Sequence, residues 1–233
     1  MRKWVVAVVV AGLFLSSITT SDASFDGIML GDFPQNTELY QSLKSDQSVQ
    51  LVKQIIVLPQ QSFDQKEAAA IISRIDSLPR SLLEKLTQHG VIVKLFTGKL
   101  TDNPTVKHLA GIVPRGYQSN LTWDDVPGIG GSKLVLVKIG SSNDGTAHGS
   151  VNLELHELAH TIDHYLLGKI SDSDEFQIIW ENEHEKLFPG NDYFFYQEEY
   201  FAECFAMYNL NKNTREKLLE KAPKTFEFMK ELQ

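Results

Sequence analysis

Between Asn152 and Gly168 the apolar residues Leu153, Leu155, Leu158, Ile162 and Leu166 are interleaved with His156, Glu157 and His160. The spacing predicts a helix that runs to Leu167 and stops at Gly168. So apolar a helix belongs in an interior, and the fold must both cover it and give its ionisable groups partners. Residues four apart share a helical face, so the two imidazoles can converge on one metal ion. Glu157, beside the first of them, can reach a water at that ion. A chain of 233 residues, 42% of them hydrophobic, buries roughly 70% of its unfolded surface and needs no metal merely to hold together. A metal here therefore points to function.

A catalytic zinc takes three protein ligands and keeps one position open. His164 lies eight residues beyond His156, about 12 Å along a helix, too far for both to bind one ion at about 2 Å. A third histidine six residues after His160 is absent as well. The remaining ligand must come from another element, and the helix expected from about Glu198 to Leu210 is the best supplier. Glu199 and Glu203 project from one face of it, so one can bind the metal while the other hydrogen-bonds a ligand histidine. The alternative is a solvated acidic face, but Tyr200, Phe201, Phe205 and Met207 leave only part of this helix exposed.

The rest of the chain reads as an α+β fold: a small N-terminal α/β lobe with a few-stranded sheet, about 24–151, and a helical C-terminal lobe, about 152–233. The metal helix is expected at the cleft between them. Ser24 to about Val49 has no clear period and reads as an extended or loop-rich lead-in. Lys53 to Pro59, rich in β-branched residues, reads as a buried strand. A helix follows from Ser62 to Leu78, capped by Asp64 or Ser62, and a second from Pro79 to His89 with Gly90 as its stop. Strands are expected at Val91–Phe96 and Lys133–Ile139. The intervening Thr97–Ser132 is mostly loop, with a possible strand at Gly111–Val113. The glycines of Val126-Pro-Gly-Ile-Gly-Gly131 precede a strand instead of a helix, so they shape a turn and do not cradle a dinucleotide. Helices are expected at about Ser173–Leu187 and as a terminal pair broken at Pro223.

Arg2 and Lys3, the apolar run Trp4–Leu15 and the small residues around Ser21-Asp22-Ala23 form a signal peptide expected to be cut after Ala23. Polar Ser16, Ser17, Thr19 and Thr20 interrupt the run before it reaches the length of a bilayer span. The mature protein is then secreted and has no membrane segment. Cleavage removes Arg2, Lys3 and Asp22 and takes the net charge from −8 to −9, a field that repels phosphate backbones, so nucleic acid is not a partner. Cys204, the single cysteine, allows no intramolecular disulfide and reads as a small buried thiol. His89, His108, His148 and His184 lack ligand spacing and read as surface or cap residues. Asp163 either braces the metal helix or is an acid on its face. Asn120-Leu-Thr122 fits a glycosylation acceptor.

The helix His156-Glu-Leu-Ala-His-Thr-Ile-Asp163, together with Gly190-Asn-Asp-Tyr-Phe194, Glu198-Glu-Tyr-Phe-Ala-Glu203 and Lys221-Ala-Pro-Lys-Thr-Phe226, resembles the lethal-factor-like zinc peptidases. With Thr122-Trp-Asp-Asp-Val-Pro-Gly-Ile-Gly-Gly131 added, the pattern is similar to the secreted bacterial Pro-Pro endopeptidases of that group, from about Val91 to the C-terminus. The resemblance implies a single zinc-binding peptidase domain over 24–233, acting as a monomer on proline-rich, extracellular or cell-surface polypeptides. It implies His156, His160 and Glu199 as ligands of one Zn2+, Glu157 as general base, Glu203 as the acid behind a ligand histidine, and Trp123 and Glu198 as substrate-contacting residues. The family places an oxyanion-stabilising tyrosine seven residues before its ligand glutamate, where this chain has Asp192. Tyr193, six before, is the expected equivalent, and Tyr196, three before, is the alternative. A peptide with proline after the scissile bond lacks an N–H there, so flat aromatic surface such as Trp123 is the available substitute for strand pairing. The edge of the strand Lys133–Ile139 is expected to hold the remaining substrate backbone. The rivals are a lethal-factor-like protease of other specificity, and a binding module that kept the fold without the chemistry.

Overall fold

The computed structural model describes residues 26–44, 49–114, 121–143 and 148–232. The expected signal peptide, 1–23, and Asn120 lie outside the described residues. Helix α1 (Glu38–Ser42) lies within the stretch expected to be extended or loop-rich, and α2 (Val49–Ile55) begins where that stretch ends. The run expected as one strand from Lys53 divides: α2 continues through Ile55, and only Ile56–Leu58 is strand β2. A short apolar run fits helix and strand about equally well, so packing on both sides decides where one becomes the other. β2 pairs antiparallel with β1 (Ile28–Met29).

Helix α3 (Gln65–Asp76) starts at Asp64, whose carboxylate accepts the N–H groups of Lys66 and Glu67 at 3.0 Å. It buries Ala68, Ile71, Ile72 and Ile75, each isoleucine contributing about 1.5–3 kcal/mol of burial. Helix α4 (Arg80–Gln88) follows, its Leu82, Leu83 and Leu86 turned inward. Strands β3 (Ile92–Phe96), β4 (Gly128–Ile129) and β5 (Leu134–Lys138) complete a sheet of order β1-β2-β3-β5-β4. β2, β3 and β5 run parallel, and β4 is antiparallel to β5. Two expectations change here. Gly111–Val113 is turn and coil, and the additional strand is β4. β4 pairs with β5 at Leu136 and Val137 on the side away from β3, so the sheet edge beside α5 is largely β4's and not β5's.

The metal helix α5 (Leu153–Thr161) begins at Asn152, whose side chain accepts the N–H of Leu155. It ends six residues earlier than expected. Residues 162–166 widen into a π-type turn closed by Leu167 N–H on the Ile162 carbonyl, before Gly168 and Lys169 take left-handed φ of 63° each. Then come α6 (Asp174–Leu187), α7 (Gln197–Leu210), α8 (Lys212–Lys221) and α9 (Pro223–Glu231), close to the expected ranges. One apolar core runs from Leu30 through the sheet and α5 to Met229, so the two lobes share an interior. A smaller cluster of Phe96, Leu100, Val126 and Leu136 lies beneath Trp123. α5 packs against α7 on one side and β5 on another. Among the described residues, no helix is long and apolar enough to cross a membrane.

Candidate metal centre and cleft

His156 and His160 point from α5 towards Glu199 in the first turn of α7. Glu199 Oε2 lies 3.2 Å from His156 Nε2 and 3.3 Å from His160 Nε2, and the two Nε2 atoms are 3.2 Å apart. Ligand atoms at about 2.0–2.1 Å from a tetrahedral ion stand about 3.3 Å from one another. The triangle therefore has the size of one face of a zinc coordination tetrahedron, and these residues fit the ion. Among the described residues this is the group of His, Cys, Asp and Glu side chains whose ligand atoms come close enough to share a metal.

Behind the triangle, Glu203 is buried one helical turn further along α7. Its Oε2 lies 3.1 Å from His156 Nδ1 and its Oε1 accepts the Val151 N–H at 2.9 Å. A proton on Nδ1 bonded to Glu203 leaves Nε2 with a lone pair facing the triangle. Burial by itself lowers the basicity of His156, but hydrogen bonds to Glu199 and Glu203 outweigh it and push the pKa up to about 10. Burial likewise works against ionised Glu199, yet the hydrogen bonds of His156 and His160 hold its carboxyl well below the usual carboxylate range. Glu157 is the opposite case. Burial, reinforced by Glu199, raises its carboxyl despite the pull of His156 and His160, which suits a group that must take up a proton.

Tyr193 settles beside this triangle, its hydroxyl donating to Glu199 Oε2 at 2.6 Å. It lines the cleft together with Glu157, His160, Glu199, Trp123 and Glu198; Tyr196 is not among the lining residues. The cleft has two parts that meet at Glu157 and Tyr193. One, about 480 Å³, holds His160, His164, Lys169, Asp172 and Glu198. The other, about 770 Å³, is bordered by Leu121, Val126, Pro127, Leu153 and Phe194. His164 faces the first part without joining the ligand triangle.

Trp123 is half-buried over the small cluster, and the paired aspartates after it shape its loop. Asp124 accepts the Gly111 N–H at 2.9 Å and the hydroxyls of Thr122 and Thr101. These bonds, that of Thr101 foremost, hold its carboxyl below the ordinary value. Asp125 accepts the Thr122 N–H, and Trp123 N–H bonds the Ile112 carbonyl at 2.9 Å. The sequence reading gave these aspartates no role, although Asp is the residue that most readily folds a turn around its own carboxylate. It also missed the use of the glycines. A Cβ on Gly130 would sit 1.9 Å from the Glu157 carbonyl oxygen and one on Gly128 2.9 Å from Glu157 Cγ, so Gly130 rests on the α5 backbone and Gly128 on the Glu157 side chain, with no room for a side chain of their own.

Several bland expectations fit the structure. Cys204 is fully buried, and burial pushes its thiol up, away from the reactive thiolate. His89 and His108 are exposed. His148 and His184 are half-buried and bond backbone carbonyls of Ser141 and Trp180. Asp163 is buried and accepts both the N–H and the hydroxyl of Ser171, bracing the π-type turn against the next loop.

Residues 42–232 match the family model for anthrax toxin lethal factor, N- and C-terminal domain. The chain is 43% identical over 187 residues to a Pro-Pro endopeptidase of Clostridioides difficile, covering 80% of this chain and 84% of that protein. A Pro-Pro endopeptidase of Paenibacillus alvei is 39% identical over 188 residues, covering 80% and 86%. The solved structure of a Paenibacillus alvei Pro-Pro endopeptidase superposes with a TM-score of 0.75 at 39% identity, covering 78% of this chain and 100% of that one.

Proposed function

The chain belongs to the lethal-factor-like family, with Pro-Pro endopeptidases among its relatives, and from that premise we propose that it is a secreted zinc endopeptidase hydrolysing Pro-Pro bonds in proline-rich extracellular proteins. The observation that carries the reading is the triangle of His156, His160 and Glu199 with Glu157 beside it. Zinc held by these three residues would supply Lewis acidity, polarising the scissile carbonyl and making water acidic enough to attack near neutral pH. Glu157 accepts the proton of the attacking water and passes it to the leaving nitrogen, a task suited to its raised pKa. Tyr193 turns its hydroxyl from Glu199 to the developing oxyanion. Trp123 offers its ring face to proline, and Glu198 lines the same part of the cleft. Export is supported by the basic, apolar and small-residue sequence of 1–23.

The deciding experiment is cleavage profiling of the zinc-loaded mature protein on a peptide library, with Glu157→Ala as control. The expected result is cutting between adjacent prolines that disappears in the variant. Cutting without proline preference would sink the specificity and spare the peptidase.

A further inference from the structure

Thr161 follows ligand His160 and is fully buried. Its hydroxyl donates to the Ser132 carbonyl at 2.8 Å and accepts the Gly131 N–H at 3.1 Å. Gly131, at φ +77°, and Ser132 lie between β4 and β5, so one side chain of the metal helix satisfies the polar backbone of that connection. Gly130, directly before it, meets the backbone of Glu157 with no room for a Cβ. Three consecutive residues are thus fixed to the turn of α5 that carries Glu157 and His160.

β4 is one of the sheet's two edge strands, and Gly128 to Gly131 line the cleft beside Glu157 and His160. An edge strand offers a row of backbone groups to a peptide, and its distance from the metal ligands decides which peptide bond reaches them. We propose that Thr161 is a positioning residue: its hydroxyl sets the height and register of β4 over the metal centre, so that a peptide paired along β4 presents its scissile carbonyl to the catalytic groups. The proposal rests on the peptidase reading. Without the hydroxyl, the half-buried Gly131 N–H and the Ser132 C=O lose the partner that ties them to α5, and the connection is free to turn towards solvent for another.

The test uses the zinc-loaded mature protein and its Thr161→Val and Thr161→Ser variants, on whichever peptide the library shows to be cut. Valine keeps the shape and removes the hydroxyl; serine keeps both hydrogen bonds. A displacement of about 1 Å costs up to about 100-fold. Thr161→Val should therefore lose tenfold or more in kcat, with zinc affinity in a chelator competition unchanged, and exchange its Gly131 amide faster. Thr161→Ser should restore both. Should the valine variant fail to fold, Thr161→Ala is read in the same way. Wild-type kcat in the variant lacking the hydroxyl, a loss that tracks lost zinc, or failure of serine to rescue would each overturn the proposal. If the wild type cuts no peptide, the peptidase reading fails, and the Gly131 exchange rate alone decides whether Thr161 holds the β4–β5 connection.

Discussion

The two faces of α5 handle buried charge in opposite ways. Towards the cleft, His156, Glu157 and His160 share their charges with Glu199 and Glu203, and every one of these groups is either a ligand atom in the triangle or a neighbour of one. Towards the core, Glu154 is fully buried and its Oε1 is paired with Arg74 of α3, while its Oε2 has no hydrogen-bond partner among the described residues. A cation can replace protons on the first face, whereas on the second the guanidinium is the compensating charge the structure supplies. The difference separates chemistry from stability: losses on the cleft face should stop the reaction in a folded protein, and losses on the core face should unfold a competent one.

The sharpest way to break that division is Glu157→Gln. Cleavage should fall by about 10³–10⁴-fold while zinc content stays at one per chain, measured by turnover and metal analysis. A carboxyl whose folded pKa is raised opposes folding at pH values above its ordinary pKa. The variant's metal-free thermal midpoint at neutral pH should therefore equal or exceed that of the wild type. A large drop would place Glu157 among the structural residues. Next comes Arg74→Met, which leaves Glu154 without its counter-charge. Denaturant unfolding should show about 3 kcal/mol lost, and adding Glu154→Gln should recover most of it, with kcat of the folded protein little changed.

Glu203→Gln tests the border between the faces. Gln can still accept the Val151 N–H, but its amide offers His156 Nδ1 a donor in place of an acceptor, which favours the wrong tautomer. Zinc affinity should fall about 10–100-fold without unfolding. The smallest effect concerns protons. With His156 protonated up to about pH 10 in the metal-free protein, zinc uptake at neutral pH releases that proton. Affinity should then rise by up to about tenfold per pH unit between pH 7 and 9, as seen by calorimetry in buffers of different ionisation enthalpy. A pH-independent affinity would mean that the site is already deprotonated.

How much of this was legible in the sequence follows from the range of the interactions. The ligand triangle was readable because two of its members are four apart on one helix, and because Glu199 sits in an apolar aromatic run where a glutamate needs a reason. Asp64 and Ser173 marked helix starts because capping is local. What stayed hidden is non-local. The two-residue β4 has no run of β-branched residues and exists only through β5, so the covering of β5's outer edge left no signal in the sequence. The division of Lys53–Leu58 into helix and strand depends on neighbours far along the chain. Arg74–Glu154 and Thr161–Gly131 join residues 80 and 30 positions apart, and neither leaves a pattern along the chain.

Gly130 works as a gauge block. Where backbone rests on backbone, the gap between the glycine turn and the Glu157 main chain is set by van der Waals contact and leaves no side chain to trim or enlarge. An engineer seeking a new cleavage sequence should start from the cleft walls at Leu121, Lys169 and Asp192 before touching the glycine turn.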